Sequence, residues 1–210
     1  MTRIIAGTYG GRRLATPTGP DTRPTADRVR EAMFSGLDAT HVLYGRRFLD
    51  LYAGSGAVGL EAASRGAEHV LLVESDPKAI RAIRENIGAL GANQVVTLAA
   101  QRVMTALAGG PPAAAGKGAA GDRAVGTGAA GEATAGKGYD IVFADPPYAL
   151  GEDDVTAMLG ALVGHGWINA GGLLILERSK RSPEPAWVQS VTAERSRRYG
   201  DAMLWYGRRS

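Results

Sequence analysis

The sequence contains no cysteine and only three histidines among its 210 residues. Without cysteine the chain can form no disulfide, no thiolate metal site and no thiol nucleophile. The three histidines, His41, His69 and His165, have no second histidine and no carboxylate cluster at ligand spacing. We therefore expect no zinc site and no other bound metal.

Long apolar runs are also missing. No segment approaches the roughly 18 apolar residues that a membrane span needs. The first residues, MTRIIAGTYGGRR, lack the apolar core of a signal peptide. We therefore expect a cytoplasmic protein with no membrane partner. Hydrophobic residues make up 45% and charged residues 21% of the chain, a composition typical of globular proteins.

Positive charge, in contrast, is concentrated near both ends of the chain. The net charge is only +3, but the sequence pI is about 9.3. The two clusters consist of Arg3, Arg12, Arg13, Arg23, Arg28 and Arg30, and of Arg195, Arg197, Arg198, Arg208 and Arg209. Such clusters suit a phosphate backbone, and solvated surface charge is the alternative interpretation.

Apolar patterns predict strands and helices in alternation. Strands are predicted at residues 48–51, 69–74, 94–98, 140–144 and 172–177, with helices between them. A further helix is predicted to begin after Thr25 as its N-cap, with Arg28 and Arg30 pointing away from its apolar face. Two last β segments, 188–193 and 202–206, are joined by the polar stretch ERSRRYGD. The predicted fold is an α/β, Rossmann-like, seven-stranded and mostly parallel sheet with an antiparallel terminal hairpin.

The domain organisation follows from composition. Residues 1–24 are rich in Gly, Thr, Pro and Arg and predict a short N-terminal β-hairpin appendage whose arginines suit a phosphate backbone. Residues 25–210 form the main domain. Within it, residues 109–138 contain almost no large apolar side chain, so they predict a flexible, low-complexity insertion that cannot offset its ordering entropy.

A glycine-rich turn indicates a nucleoside cofactor. Gly54, Gly56 and Gly59 lie between a predicted strand and a helix, where glycines permit a tight turn and close approach to a ligand. Glu74 ends the next strand, where an acidic side chain can hold ribose hydroxyls. Asp50 adds a carboxylate beside the turn, which would repel a pyrophosphate and attract a cation. We therefore expect S-adenosylmethionine, whose sulfonium is positive; the alternative role of Asp50 is to cap the turn.

The tetrapeptide Asp145-Pro146-Pro147-Tyr148 follows a predicted strand at the edge where ligands bind in such sheets. Two prolines fix the backbone, so the Asp145 carboxylate and the Pro146 carbonyl become rigid acceptors. Both can accept hydrogen bonds from an exocyclic amine and localise its lone pair, while Tyr148 stacks on the base. A packing turn that ends a buried strand is the alternative.

Five segments together resemble a known family. RPTADRVREAMF, FLDLYAGSGAVGLEA, VLLVESD, DIVFADPPY and RRYGDAMLWYG are similar to the bacterial 16S rRNA guanine-N2 methyltransferases of the RsmD type. The resemblance covers nearly all of the chain outside the insertion. It implies methyl transfer from S-adenosyl-L-methionine to N2 of a specific guanine, of the guanine(966)-N(2) type. It implies 16S rRNA or the assembling 30S subunit as partner, and we expect a monomer.

The resemblance also implies residue roles. Asp145, Pro146 and Tyr148 are expected to hold the guanine. The expected cofactor residues are Asp50, Tyr52, Gly54, Ser55, Gly56, Glu74, Ser75, Gln101, Arg102 and Asp145. The expected RNA-binding residues are Arg3, Arg12, Arg13, Arg23, Thr25 and Arg28. Related enzymes often have Asp or Asn after the third strand to bind adenine, whereas this chain has Gln101 and Arg102, and only Gln101 offers a side-chain acceptor.

Other classes explain less of the pattern. A methyltransferase acting on the amino group of a DNA base or of another RNA base would use the same Asp-Pro-Pro-Tyr turn, but no separate target-recognition domain is visible. A protein glutamine methyltransferase leaves the arginines without a purpose. A nicotinamide-dependent oxidoreductase explains the glycines and leaves Asp50 unexplained. A non-enzymatic RNA-binding protein leaves both motifs without a function.

Overall fold

The computed structural model describes residues 2–17, 24–38, 43–112 and 137–210. Most of the predicted insertion, together with Arg23 and His41, lies outside these ranges. The described elements, in chain order, are α1 Pro24–Asp38, β1 Arg47–Leu51, α2 Ala57–Ser64, β2 His69–Glu74, α3 Pro77–Leu90, β3 Val96–Ala100, α4 Val103–Leu107, β4 Tyr139–Ala144, α5 Glu152–Gly164, β5 Ile168–Ser179, β6 Val191–Tyr199 and β7 Ala202–Arg209. None of the described helices is both long and apolar enough to cross a membrane.

The seven strands form one sheet in the order β3-β2-β1-β4-β5-β7-β6. β1 pairs in parallel with β2 and β4, and β4 pairs in parallel with β5. Only β7 runs against its neighbours, β5 and β6. The predicted α/β class, the parallel centre and the antiparallel terminal hairpin are therefore confirmed. The strands from β1 to β3 are added toward one edge of the sheet, and β4 and β5 are added on the other side of β1. Open sheets of this type bind ligands at the position where the strand order reverses in this way, here between β1 and β4.

Helices cover both faces of the sheet. The apolar sides of α1, α2 and α3 pack on one face with Phe48, Leu72 and Ile141. The apolar sides of α4 and α5 pack on the other face with Leu49 and Val142. Since helices cover both faces, the central strands are buried on both sides. Adjacent strand residues point to opposite faces, so successive positions along these strands are buried and the strands consist of continuous apolar runs. This burial accounts for the strength of the strand signal in the sequence.

The end of the chain differs from the prediction. The stretch ERSRRYGD was expected to be a turn, but β6 continues through it to Tyr199, and the turn is confined to Gly200 and Asp201. β6 is an edge strand whose residues 192–198 are all exposed. An edge strand tolerates charge on both faces, so it lacks the alternation that identifies a half-buried strand. The predicted boundary was wrong for this reason.

The N-terminal segment, residues 2–17, lies against α2. Arg3 and Arg13 form an antiparallel bridge, and Ile4 and Leu14 are buried in the core beneath α1 to α3. The fully buried Glu61 carboxylate accepts hydrogen bonds from the amides of residues 5 and 6, at 2.7 and 3.0 Å. The expected hairpin is thus fastened to the main domain through a buried carboxylate.

Two expectations about α1 are wrong. The helix begins at Pro24, so Thr25 lies inside it instead of capping it; its side chain is not among those described. Arg30 does not point away from the core, since its side chain is only 4% exposed and lies 4.0 Å from Glu61. Its Nη2 donates to the Arg3 carbonyl at 2.6 Å and lies 3.2 Å from the Asp27 carboxylate, so polar partners hold the guanidinium beneath the N-terminal segment. Arg28 is exposed, as expected.

Candidate functional site

The glycine turn joins β1 to α2 at the carboxyl edge of the sheet. Gly54 and Gly56 have φ angles of 57° and 78°, in the left-handed region that favours glycine. Gly59 serves packing instead, because a Cβ there would lie 2.2 Å from Leu72 Cδ2. Tyr52 has a φ of 59°, which is uncommon for a bulky residue and typical of functional turns. All three glycines of the motif are therefore required by geometry.

Glu74 connects the glycine turn with the turn that joins β2 to α3. One carboxylate oxygen accepts the Gly54 amide at 2.7 Å, and the other accepts the amides of Ser75 and Asp76 at 2.7 and 2.8 Å. The side chain is half-buried at the end of β2. Backbone donors hold it in place, so it is presented at the mouth of the crevice in a fixed orientation. Ser75 itself is exposed.

Asp50 is the buried acid beneath the turn. Its carboxylate, in a residue only 1% exposed, accepts the Gly59 amide at 2.8 Å. The pKa of Asp50 is raised to about 8, mainly because the carboxyl is buried; the Gly59 hydrogen bond opposes this rise, and the charges of Asp145 and Glu74 contribute to it. Three carboxyl groups therefore share one electrostatic environment. Such an environment disfavours a phosphate and favours a cation.

The Asp-Pro-Pro-Tyr segment lies directly against the glycine turn. The Asp145 amide lies 3.4 Å from the Leu51 carbonyl, at the residue where β1 ends and the turn begins. Pro146 is buried, whereas Asp145 is exposed and Tyr148 is 54% exposed. A hydrogen bond of 2.8 Å from the Leu150 amide to the Pro147 carbonyl closes the loop. Both predicted motifs thus lie side by side at the carboxyl edge of the sheet, where open sheets of this type have their ligand crevice, and the Tyr148 ring is exposed there.

Sequence reasoning missed Arg178, near the end of β5. Its guanidinium is 4% exposed and donates from Nη2 to the Leu150 carbonyl at 2.9 Å and to Glu152 at 2.6 Å. Nε and Nη1 have no hydrogen-bond partner among the residues that the structure describes. The Arg178 charge also lowers the pKa of Tyr52, although burial raises it overall. Arg178 therefore fixes the loop after Tyr148 and lies within electrostatic reach of the cofactor turn.

Asn86 was also missed. It is 2% exposed, and its side-chain amide donates to the Ser55 carbonyl at 3.0 Å and to the Ala15 carbonyl at 2.9 Å. Its oxygen accepts the Ala15 amide at 2.7 Å. Asn86 thereby links the N-terminal segment to the glycine turn. The available signal was a polar residue on the apolar face of α3, between Ile83 and Ile87.

The remaining predicted residues lie further from the crevice centre. Gln101 is half-buried just after β3, and Arg102 is exposed at the N-cap of α4, where its side chain makes no capping bond. Arg3 and Arg13 are exposed and opposite each other. Arg12 is exposed as well, but it donates to the Ala89 carbonyl at 2.8 Å. Within the described ranges no three His, Cys, Asp or Glu side chains form a group that could hold a metal ion.

Comparison with known proteins gives consistent matches. The family model described as conserved hypothetical protein 95 matches residues 2–114 and 123–208. The putative rRNA methyltransferase YlbH of Bacillus subtilis is 31% identical over 201 residues, which is 94% of each chain. The ribosomal RNA small subunit methyltransferase D of Escherichia coli is 34% identical over 175 residues, 83% of this chain and 73% of the relative. The structure of the putative methyltransferase yhhF from Escherichia coli superposes with a TM-score of 0.77 at 29% identity, covering 100% and 98% of the two chains.

Proposed function

Because this chain belongs to the conserved hypothetical protein 95 family, that of the RsmD-type methyltransferases, we propose that it methylates N2 of a guanine in 16S rRNA with S-adenosyl-L-methionine as methyl donor. The observation that supports this proposal most strongly is the contact between the two motifs. The amide of Asp145, in the acceptor segment, lies 3.4 Å from the carbonyl that ends β1, where the cofactor turn begins. This contact continues the pairing of β1 with β4, so the two motifs follow adjacent strand ends, as direct transfer between neighbouring donor and acceptor sites requires.

The residues of the turn fit the donor chemically. Glu74 presents carboxylate oxygens to ribose hydroxyls, and displacement of the Gly54 amide frees one of them. The shared negative environment of Asp50, Glu74 and Asp145 suits a ligand end that carries an ammonium and a sulfonium. Tyr52, Ser55, Ser75, Gln101 and Arg102 complete the proposed lining. When bound, the donor supplies an electrophilic methyl group on a positively charged sulfur.

The acceptor segment makes the amine nucleophilic. The lone pair of a guanine N2 is delocalised into the ring, so the amine is a poor nucleophile. Hydrogen bonds from its two N–H groups to the Asp145 carboxylate and the Pro146 carbonyl would hold the lone pair toward the methyl group. The exposed Tyr148 ring would stack on a base lifted from its helix, which contributes about 1–3 kcal/mol. The nitrogen gains a methyl group and loses a proton, for which Asp145 is the nearest acceptor.

The N-terminal segment supplies the proposed RNA contacts. Arg3 and Arg13 are like charges across an antiparallel bridge, which is unfavourable unless an anion lies between them. With Arg28 on α1 they form an exposed basic surface. Arg12, Arg23 and Thr25 are included by family resemblance. We propose that residues 1–24 and the start of α1 dock a cytoplasmic, monomeric enzyme on 16S rRNA or on the assembling 30S subunit.

The test is to identify the methylated nucleoside. The enzyme is incubated with a methyl-labelled donor and, separately, with unmethylated 16S rRNA, 30S particles and duplex DNA, and the labelled nucleosides are separated after digestion. We expect N2-methylguanosine from one of the two ribosomal substrates and no label in DNA. Labelled adenine or cytosine in DNA would replace this proposal with that of a DNA methyltransferase.

A further inference from the structure

The arginines near the C-terminus do not form one cluster. Arg208 is paired with Glu194 and also donates to the Gly171 carbonyl at 2.8 Å. Arg209 donates to the Ile168 carbonyl, at the start of β5. Both guanidinium groups are therefore engaged within the protein, at the amino edge of the sheet, away from the crevice. They are poorly placed to bind RNA.

Arg195 and Arg197, here called the β6 arginines, are placed differently. Both are exposed, and they pair across the hairpin with Tyr206 and Leu204, which belong to the core covered by α1 to α3. Residues opposite each other in an antiparallel pair point to the same face, so the β6 arginines lie on the α1 side of the sheet. The Arg195 guanidinium lies 4.4 Å from the centre of the Tyr206 ring. This contact orients the guanidinium and does not neutralise its positive charge. In the described part of the chain neither arginine forms a salt bridge.

The strand register places Arg197 level with the acceptor segment. Asp145, one residue beyond β4, is level with Glu177 on β5. Glu177 pairs with Leu204, and Leu204 pairs with Arg197. Three strand spacings separate the two positions, a distance of about 14 Å across the sheet. A nucleic acid whose base enters the crevice at Asp145 therefore carries neighbouring phosphates within reach of this edge.

Helix α1 connects this edge to the N-terminal segment. α1 contacts β6, and Arg30 on α1 donates to the Arg3 carbonyl at 2.6 Å. A surface depression between the segment and the helix is lined by Arg3, Ile5, Asp27, Arg28, Arg30 and Glu31. The Asp27 carboxylate there is paired with Arg30, at 3.2 Å. Positive groups that are far apart in sequence are thus arranged along one side of the molecule.

We propose that the β6 arginines bind RNA phosphates beside the target nucleotide and extend the basic surface of the N-terminal segment and α1. This inference rests on the proposed function, because it requires an RNA substrate. It assigns a role to β6, an exposed edge strand that contributes no residue to the proposed donor and acceptor sites. Arg208 and Arg209 are not part of the proposed RNA-binding surface.

The test compares two charge-matched variants. Arg195→Gln/Arg197→Gln and Arg208→Gln/Arg209→Gln each remove two positive charges from the same hairpin. Binding of a fluorescein-labelled 16S rRNA fragment is measured by fluorescence anisotropy from 0.05 to 0.5 M KCl. Each lost phosphate contact on single-stranded RNA lowers the slope of log affinity against log salt by about 0.7. Loss of both β6 contacts therefore lowers the slope by about 1.4 and the affinity at 0.1 M KCl by about 25-fold.

We expect that loss for the β6 variant alone, with unchanged affinity for S-adenosylmethionine and an unchanged melting temperature. Unchanged RNA affinity of a folded β6 variant, or an equal loss in the Arg208→Gln/Arg209→Gln variant, would overturn the inference. Both results leave the proposed function intact as long as the wild-type enzyme methylates 16S rRNA. Absence of methylation by the wild type would instead refute the proposed function.

Discussion

The two edges of the sheet show how one fold separates chemistry from stability. At the carboxyl edge, Asp50, Glu74 and Asp145 bring three carboxyl groups together, and Tyr52 and two glycines have left-handed backbone angles. At the amino edge, Tyr139 and Trp167 are stacked with ring centroids 6.1 Å apart, and the Arg47 guanidinium lies 4.7 Å from the Tyr139 ring centre. The first edge concentrates unfavourable interactions that a ligand can relieve. The second concentrates favourable ones that need no ligand.

Histidine illustrates the same difference. His69 lies at the amino edge, 5.8 Å from Tyr139 between ring centroids. Burial, together with the smaller effect of the Arg47 charge, lowers its pKa to about 4. The ring is therefore neutral at physiological pH and serves packing. Asp50, at the opposite edge, has a pKa of about 8, so we expect its protonation to respond to a cationic ligand.

The largest expected effect is loss of packing at the amino edge. Trp167 is 2% exposed, and its indole N–H donates to the Gly109 carbonyl at 2.7 Å. Trp167→Ala should lower the free energy of unfolding by about 3–5 kcal/mol, measured by urea denaturation. Trp167→Phe, which keeps the ring, should lower it less. Affinity for S-adenosylmethionine should not change below the unfolding transition, and a large loss of affinity would show that the two edges are coupled.

A second variant removes a proposed ligand contact at the carboxyl edge. Glu74→Ala should weaken S-adenosylmethionine binding by about 10- to 100-fold in calorimetry, since hydrogen bonds to charged groups contribute about 1.5–3 kcal/mol. Glu74→Gln keeps one acceptor oxygen and should recover part of the affinity. Unchanged affinity in Glu74→Ala would remove Glu74 from the site.

The pH dependence of binding should come from Asp50. Its raised pKa of about 8 means that the ligand-free protein is largely protonated at Asp50 below that pH. A cationic ligand favours the carboxylate, so binding releases a proton, and affinity rises with pH until about 8. The rise cannot exceed about tenfold per pH unit for one group, or ~1.4 kcal/mol. Calorimetry in buffers of different ionisation enthalpy measures the released proton, which Asp50→Asn should abolish.

The smallest effect concerns Arg178. Arg178→Lys keeps the positive charge beside Glu152 and loses the planar group that also reaches the Leu150 carbonyl. We expect kcat to fall about fivefold, ~1 kcal/mol, with an unchanged KM for the methyl donor. Lys180→Gln is the control, because Lys180 lies two residues further along the chain but pairs with the exposed Asp201. A raised donor KM with normal kcat in Arg178→Lys would contradict this placement.

Local patterns allowed most of the fold to be predicted, because the central strands are uniformly apolar and Asp76, Pro77 and Gly91 mark the ends of α3. The acceptor and cofactor motifs could be predicted because both are contiguous in sequence. Arg178 and Arg30 could not, since the carbonyl oxygens that they bind belong to residues 28 and 27 positions away. Asn86 lies on the apolar face of α3, which indicates burial, but the sequence does not identify its partner 71 residues away.

The central claim is that a cationic methyl donor and a hydrogen-bonded amine meet in one crevice. Asp145→Asn, with the same shape and no charge, tests it directly when donor affinity and single-turnover methylation of 16S rRNA are measured on the same preparation. We predict that the variant binds S-adenosylmethionine within a few-fold of the wild type and transfers methyl at least about 100-fold more slowly. Transfer at the wild-type rate would contradict the account.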